Sequence, residues 1–139
     1  MKGEGGVMGA IRSFRDLRVY QAARDAGKQI FEITQRFPSE ERYSLTSQIR
    51  RSSRSVGANI AEAWRKRRYA ASFVSKLSDS DAEAAEVCAW LDVALDCGYI
   101  SQSEFKSLDG LFHHIGAQLR LMMDAPEKWC NSSKQGRSA

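Results

Sequence analysis

The sequence predicts an all-α protein, an antiparallel up-down-up-down four-helix bundle. Four stretches carry the apolar repeat of an amphipathic helix, no stretch alternates with period two, and the connections are short. A length of 139 residues bounds the chain to one domain with a modest core.

Residues 1–13, MKGEGGVMGAIRS, are glycine-rich without periodicity and are expected to be a flexible arm. The bundle is expected over 14–129. The first helix, about 16–37, carries the stripe Val19, Ala23, Ala26, Ile30, Ile33 and Phe37 and is stopped by Pro38. The second, about 40–65, is expected to start from Ser39 as N-cap, with Glu40 and Glu41 at the positive end of the helix dipole. Its stripe is Leu45, Ile49, Val56 and Ile60, with Trp64 at the margin. Ser52, Ser53, Gly57, Ala61 and Ala63 let a neighbouring helix approach closely.

The third helix, about 70–97, carries Phe73, Leu77, Ala84, Cys88, Leu91 and Leu95, and Gly98 suits the position after its end. Local signals leave the boundary open: WRKRRYAAS has no proline or glycine, so helices two and three could also form one long helix. The fourth, about 102–124, opens on the capping box Ser101 to Glu104 and continues through Phe105, Leu108, Phe112, Ile115, Leu119 and Met122. Residues 130–139 are expected to be a flexible tail.

Charge is distributed unevenly. The formal net charge is +4, but eight basic residues and one acid lie between Arg42 and Arg68. From Leu77 to Phe105 there are seven acids and no lysine or arginine. On a helical wheel Arg50, Arg54 and Arg65 fall within about 60° of one another, opposite the core stripe, with Arg51 beside them. Lys66, Arg67 and Arg68 extend the patch into the following turn. These residues are the candidate grip on nucleic-acid phosphates. On the third helix Asp79, Glu83 and Glu86 are expected to point outward, with Trp90 and Val93 among them, as a subunit interface. Two readings compete with these. The basic face could simply be solvated, or helices two and three could exchange ordinary surface ion pairs within one chain.

Asn59 and Glu62 are read as structural polar residues, the asparagine bonding to another helix or subunit. Glu62 and Glu86 lack the E-x-x-H signature of di-metal bundles. Cys88, Cys97 and Cys130 show no C-x-x-C spacing, so neither a disulfide framework nor a zinc site is expected, and they are read as buried apolar groups in a reducing cytoplasm. His113 and His114 lie about 100° apart on a helix and are read as surface or interface groups. No cofactor is expected. Phosphate loops, G-x-S-x-G and H-E-x-x-H are absent, which leaves an enzyme without support. The sequence has neither a signal-peptide core nor a membrane-length apolar run, so a cytoplasmic location and no membrane partner are expected.

Several motifs carry a resemblance: FRDLRVYQAARDAGKQIFEITQRFP, the spacing L-x-x-Q-x-R-R-x-x-x-S-V-x-x-N-I-A-E from Leu45 to Glu62, AEAWRKRRY, Gly98–Tyr99 and PEKW at Pro126 to Trp129. Over roughly residues 14–129 the chain resembles the four-helix-bundle family of proteins encoded in 23S rRNA intervening sequences. The resemblance implies an antiparallel bundle with a turn near 66–70 and a homopentameric ring. One branch of that family is the accessory variability determinant of diversity-generating retroelements, a basic ring that binds reverse transcriptase and nucleic acid. Self-association, RNA or DNA, and a reverse transcriptase are therefore the implied partners. Ala63 stands where glycine often follows N-I-A-E, and Ala82–Glu83 where a Gly-Ser pair is common, which places the chain in a sub-branch.

The residues support a non-enzymatic, oligomeric scaffold or accessory protein that binds nucleic acid without sequence specificity. The alternative is a protein-binding assembly factor whose charged faces only set subunit contacts.

Overall fold

A computed structural model describes residues 11–130. It contains four α-helices, α1 (Arg18–Thr34), α2 (Leu45–Arg65), α3 (Ala70–Asp96) and α4 (Gln102–Asp124), with no strand among the described residues. Each helix packs on its neighbours in sequence and α1 closes against α4, which is the up-down-up-down bundle.

The chain enters through a short 3-10 turn, Phe14–Asp16. The Asp16 carboxylate accepts the backbone N–H of Arg12 at 2.8 Å, and the Ser13 hydroxyl accepts that of Arg15 at 3.2 Å. Ile11 is half-buried against the core, so the expected arm does not extend to residue 13. Residues 1–10, the rest of that arm, and 131–139 of the expected tail lie outside the described residues. Cys130, also assigned to the tail, is buried.

α1 ends at Thr34, three residues before the expected end at Phe37. The Thr34 hydroxyl donates to the carbonyl of Ile30 at 2.8 Å, and the chain leaves through a tight turn that still buries Phe37. α2 begins at Leu45, not at residue 40. Ser39–Glu41 instead form a 3-10 turn, and the Glu41 carboxylate reaches forward to accept the Leu45 N–H at 3.3 Å and the Ser44 hydroxyl at 2.6 Å.

The break between α2 and α3 needs neither proline nor glycine. Arg67 folds back, its Nε donating to the Trp64 carbonyl at 2.8 Å and its guanidinium lying 3.6 Å from the Trp64 ring centroid. The pair caps the last turn of α2. Trp64 also meets Trp129 in an edge-on arrangement, with centroids 6.4 Å apart, which ties the C-terminal 3-10 turn to the bundle. Gly98 follows α3 with φ +76°, the left-handed position that glycine adopts without steric cost.

The fully buried face of α3 is Phe73, Leu77, Ser80, Ala84, Val87, Leu91 and Ala94. Cys88 and Leu95, read as core, are only half-buried. α2 and α3 approach closely over small residues: the buried Ser80 hydroxyl donates 2.7 Å to the Val56 carbonyl, and Ser52 and Ser53 are buried nearby. This seam orients the polar groups described next.

Tyr99 fastens the α3–α4 turn to the start of α2, its hydroxyl donating to Glu41 at 2.8 Å. That bond pushes the phenol up to about 12, while the Ser44 hydroxyl, and then Tyr99, hold the Glu41 carboxyl below its ordinary value. The phenol's raised value means its contribution to stability is complete below the unfolded phenol pKa of about 10 and is lost as pH rises through about 12. The carboxyl's lowered value means its contribution is complete above about 4.3 and is lost on acidification. Ultraviolet titration of Glu41→Gln should therefore show the Tyr99 midpoint falling toward about 10. An unchanged midpoint would contradict this contact.

Candidate nucleic-acid interface

The basic residues of α2 divide into distinct environments. Arg50 was expected to face outward, but it is half-buried against α1. Its Nε donates to Thr34 Oγ1 at 2.7 Å, and its guanidinium lies 4.6 Å from the centroid of the Phe31 ring. Thr34 can accept because its own hydroxyl proton is committed to the α1 backbone. Arg54, one turn later, is exposed and sits 5.8 Å from the same ring.

Arg54 joins two shallow grooves. One runs along α2 and is lined by Arg42, Arg50, Arg51 and Arg54 with Thr46 and Ser47. The other lies between α1 and α2, with Arg24, Lys28 and Arg54 around Tyr20 and Phe31. Among the described residues, no carboxylate lines either groove. Phe31 is 39% exposed, so an aromatic ring is partly open to solvent beside the Arg50 and Arg54 guanidiniums. Arg24, Lys28, Arg42 and Phe31 were missed in the sequence. Their signal was an Arg24–Lys28 pair one turn apart with Phe31 just off the apolar stripe.

Arg51 is engaged differently, pairing with Glu86 of α3 at 3.2 Å. The same Glu86 oxygen accepts the Ser52 hydroxyl at 2.7 Å and the Trp90 indole N–H at 3.1 Å. The Ser52 bond, foremost, lowers the Glu86 carboxyl below the usual range, with Trp90 and Arg51 adding to it. Glu86 therefore faces the α2–α3 seam and is not an outward acid. Trp90 is half-buried and packs on the core, while Val93 is exposed.

Glu62 of α2 pairs with Lys76 of α3 at 2.8 Å, and Lys76 also meets Asp79 at 3.5 Å. Helices two and three thus do exchange ion pairs within the chain. Glu62 and Glu86 serve separate partners and make no carboxylate pair. Asn59 was expected to bond to another helix or subunit, but its amide donates to the Ser55 carbonyl of its own helix at 2.9 Å. Glu83 is half-buried, with one carboxylate oxygen buried and lacking a hydrogen-bond partner among the described residues.

Arg65, Lys66 and Arg68 are exposed at the end of the bundle, a region separate from the Arg54 grooves, while Arg67 turns inward onto Trp64. The cysteines are free. Cys97 is exposed rather than buried, and Cys88 is half-buried. A group able to hold a metal ion lies away from the grooves, on α3 and α4: Cys88, Asp109 and His113. Among the described residues, no helix is long and apolar enough to cross a membrane.

Comparison with known proteins agrees with this architecture. The family model described as 23S rRNA-intervening sequence protein matches residues 15–120. A crystal structure of a protein of unknown function from the S23 ribosomal protein family of Bacteroides thetaiotaomicron superposes with a TM-score of 0.70 at 26% identity. The match covers 76% of this chain and 95% of that one. No curated protein matches the sequence.

Proposed function

This chain belongs to the 23S rRNA-intervening sequence protein family, and on that premise we propose a non-enzymatic, oligomeric accessory protein that grips nucleic-acid phosphates through the α1–α2 grooves. One observation carries the reading: six cationic side chains, Arg24, Lys28, Arg42, Arg50, Arg51 and Arg54, converge on two connected grooves whose described lining holds no carboxylate, and of these Arg51 is paired with Glu86 of α3. A surface built only for solubility usually mixes signs. Arg50 and Arg54 over Phe31 hold their charge in place before any ligand arrives, which reduces the ordering cost of binding.

Phosphate contacts of this kind carry little sequence information. The open Phe31 ring adds a face on which an unstacked base can rest, which favours single strands over duplex. The setting we propose is the cytoplasm, where the exposed thiol of Cys97 stays reduced.

Self-association is assigned to α3. Its outward side exposes Ala71, Ala82, Ala85, Ala89 and Val93 in near-heptad steps, a smooth surface on which a second helix can pack closely. Light scattering at micromolar concentration is expected to give a mass near five subunits. A clean monomer would remove the ring.

A second reading has its own support. Asp79 and Val93 of α3 are exposed, an acidic and apolar surface that the basic face of another copy can meet, making the charged faces subunit contacts only. Anisotropy titrations with labelled single-stranded RNA and DNA at low salt separate the two. Association with an intact oligomer supports the phosphate grip, and no association leaves the assembly role in front.

A further inference from the structure

We propose that Cys88, Asp109 and His113 form a binding site for a zinc-class divalent metal on the α3–α4 seam. One ligand atom from each, the thiol sulfur, a carboxylate oxygen and an imidazole nitrogen, lies within 4.8 Å of the other two. Metal–ligand bonds of about 2.0–2.3 Å place tetrahedral donors roughly 3.3–3.8 Å apart. The cluster therefore needs to contract by only about 1 Å, within the reach of side-chain rotation.

Asp109 and His113 are one turn apart on α4, so their side chains share a face, and His113 Nε2 already sits 3.2 Å from Asp109 Oδ2. Cys88 comes from the facing helix. It and Asp109 are half-buried, whereas His113 is exposed and can swing to close the site from outside. Asp92, one turn beyond Cys88 on α3, is close enough for its charge to act on the thiol. It adds negative potential at the site.

The donor set selects the metal class. Thiolate and imidazole favour zinc and cobalt over magnesium or calcium, which prefer all-oxygen shells. Cys88 is a half-buried free thiol that must give up its proton to ligate a metal. That proton leaves for solvent as the metal–sulfur bond forms, and no oxidation state changes.

Cobalt titration of the full chain, stripped with chelator, tests the assignment. The native protein should bind one cobalt ion per chain, with visible bands of tetrahedral geometry and a near-ultraviolet thiolate charge-transfer band that zinc abolishes. Cys88→Ser should remove the charge-transfer band, and Cys97→Ser should keep it. His113→Ala alters an exposed side chain, so folding is preserved, and it should weaken binding by roughly tenfold or more. His114→Ala should leave binding unchanged. A native protein without the charge-transfer band, or a band that survives Cys88→Ser, would overturn the site.

Discussion

Phe73→Ala is expected to destabilise the bundle by about 3–5 kcal/mol, the largest single effect anticipated for this protein. Phe73 is fully buried in the first turn of α3 and is among the largest side chains with no solvent exposure. Truncation removes its transfer free energy and leaves a cavity that close-packed neighbours fill only in part. Domains of this size have about 5–15 kcal/mol in total, so the loss takes a large share. Urea unfolding should show a lower midpoint with an unchanged slope. A shift worth less than about 1 kcal/mol would mean that the α3 core is not packed as described.

Replacing Arg54 and Lys28 together by alanine is expected to produce the largest functional effect. Both are exposed groove residues, so they can lose charge without touching the core. Arg50 is a poorer probe, because its bond to Thr34 also joins α1 to α2. Loss of two phosphate contacts should weaken binding to any sequence and make the salt dependence shallower by about two log–log units on duplex DNA. The mass in light scattering should stay the same. A fallen mass with the double variant would instead assign these cations to subunit contacts.

The fold was legible because burial follows helical periodicity. Ile49, Val56 and Ile60 are spaced as one stripe, and all three are fully buried. α3 was harder, since small apolar residues lie on its outer side as well. Phe73, Leu77, Ala84 and Leu91 are buried as the spacing predicts, but the other two positions lie one residue away, about 100° around the helix: Val87 and Ala94 are buried where Cys88 and Leu95 were read.

Much of the candidate site depends on pairings between helices that a wheel does not contain. A wheel places Arg50 on the outside. The end of α1 brings Thr34 and Phe31 to it and draws it in. Glu86 likewise reads as an outward acid until the small residues of the α2–α3 seam bring Ser52 within 2.7 Å. Cys88, Asp109 and His113 were invisible to a search for paired cysteines, because two helices each supply part of the cluster.

The two grooves that meet at Arg54 are lined by cations and, among the described residues, by no carboxylate, and the claim that nucleic acid fills them is tested most directly by salt. Binding of labelled single-stranded RNA and DNA to the native protein should be measurable at low ionic strength. It should then fall linearly in log–log form, with a slope of about −0.7 per phosphate neutralised. Affinity that stays flat across the salt series, or no binding even at the lowest salt, would contradict it.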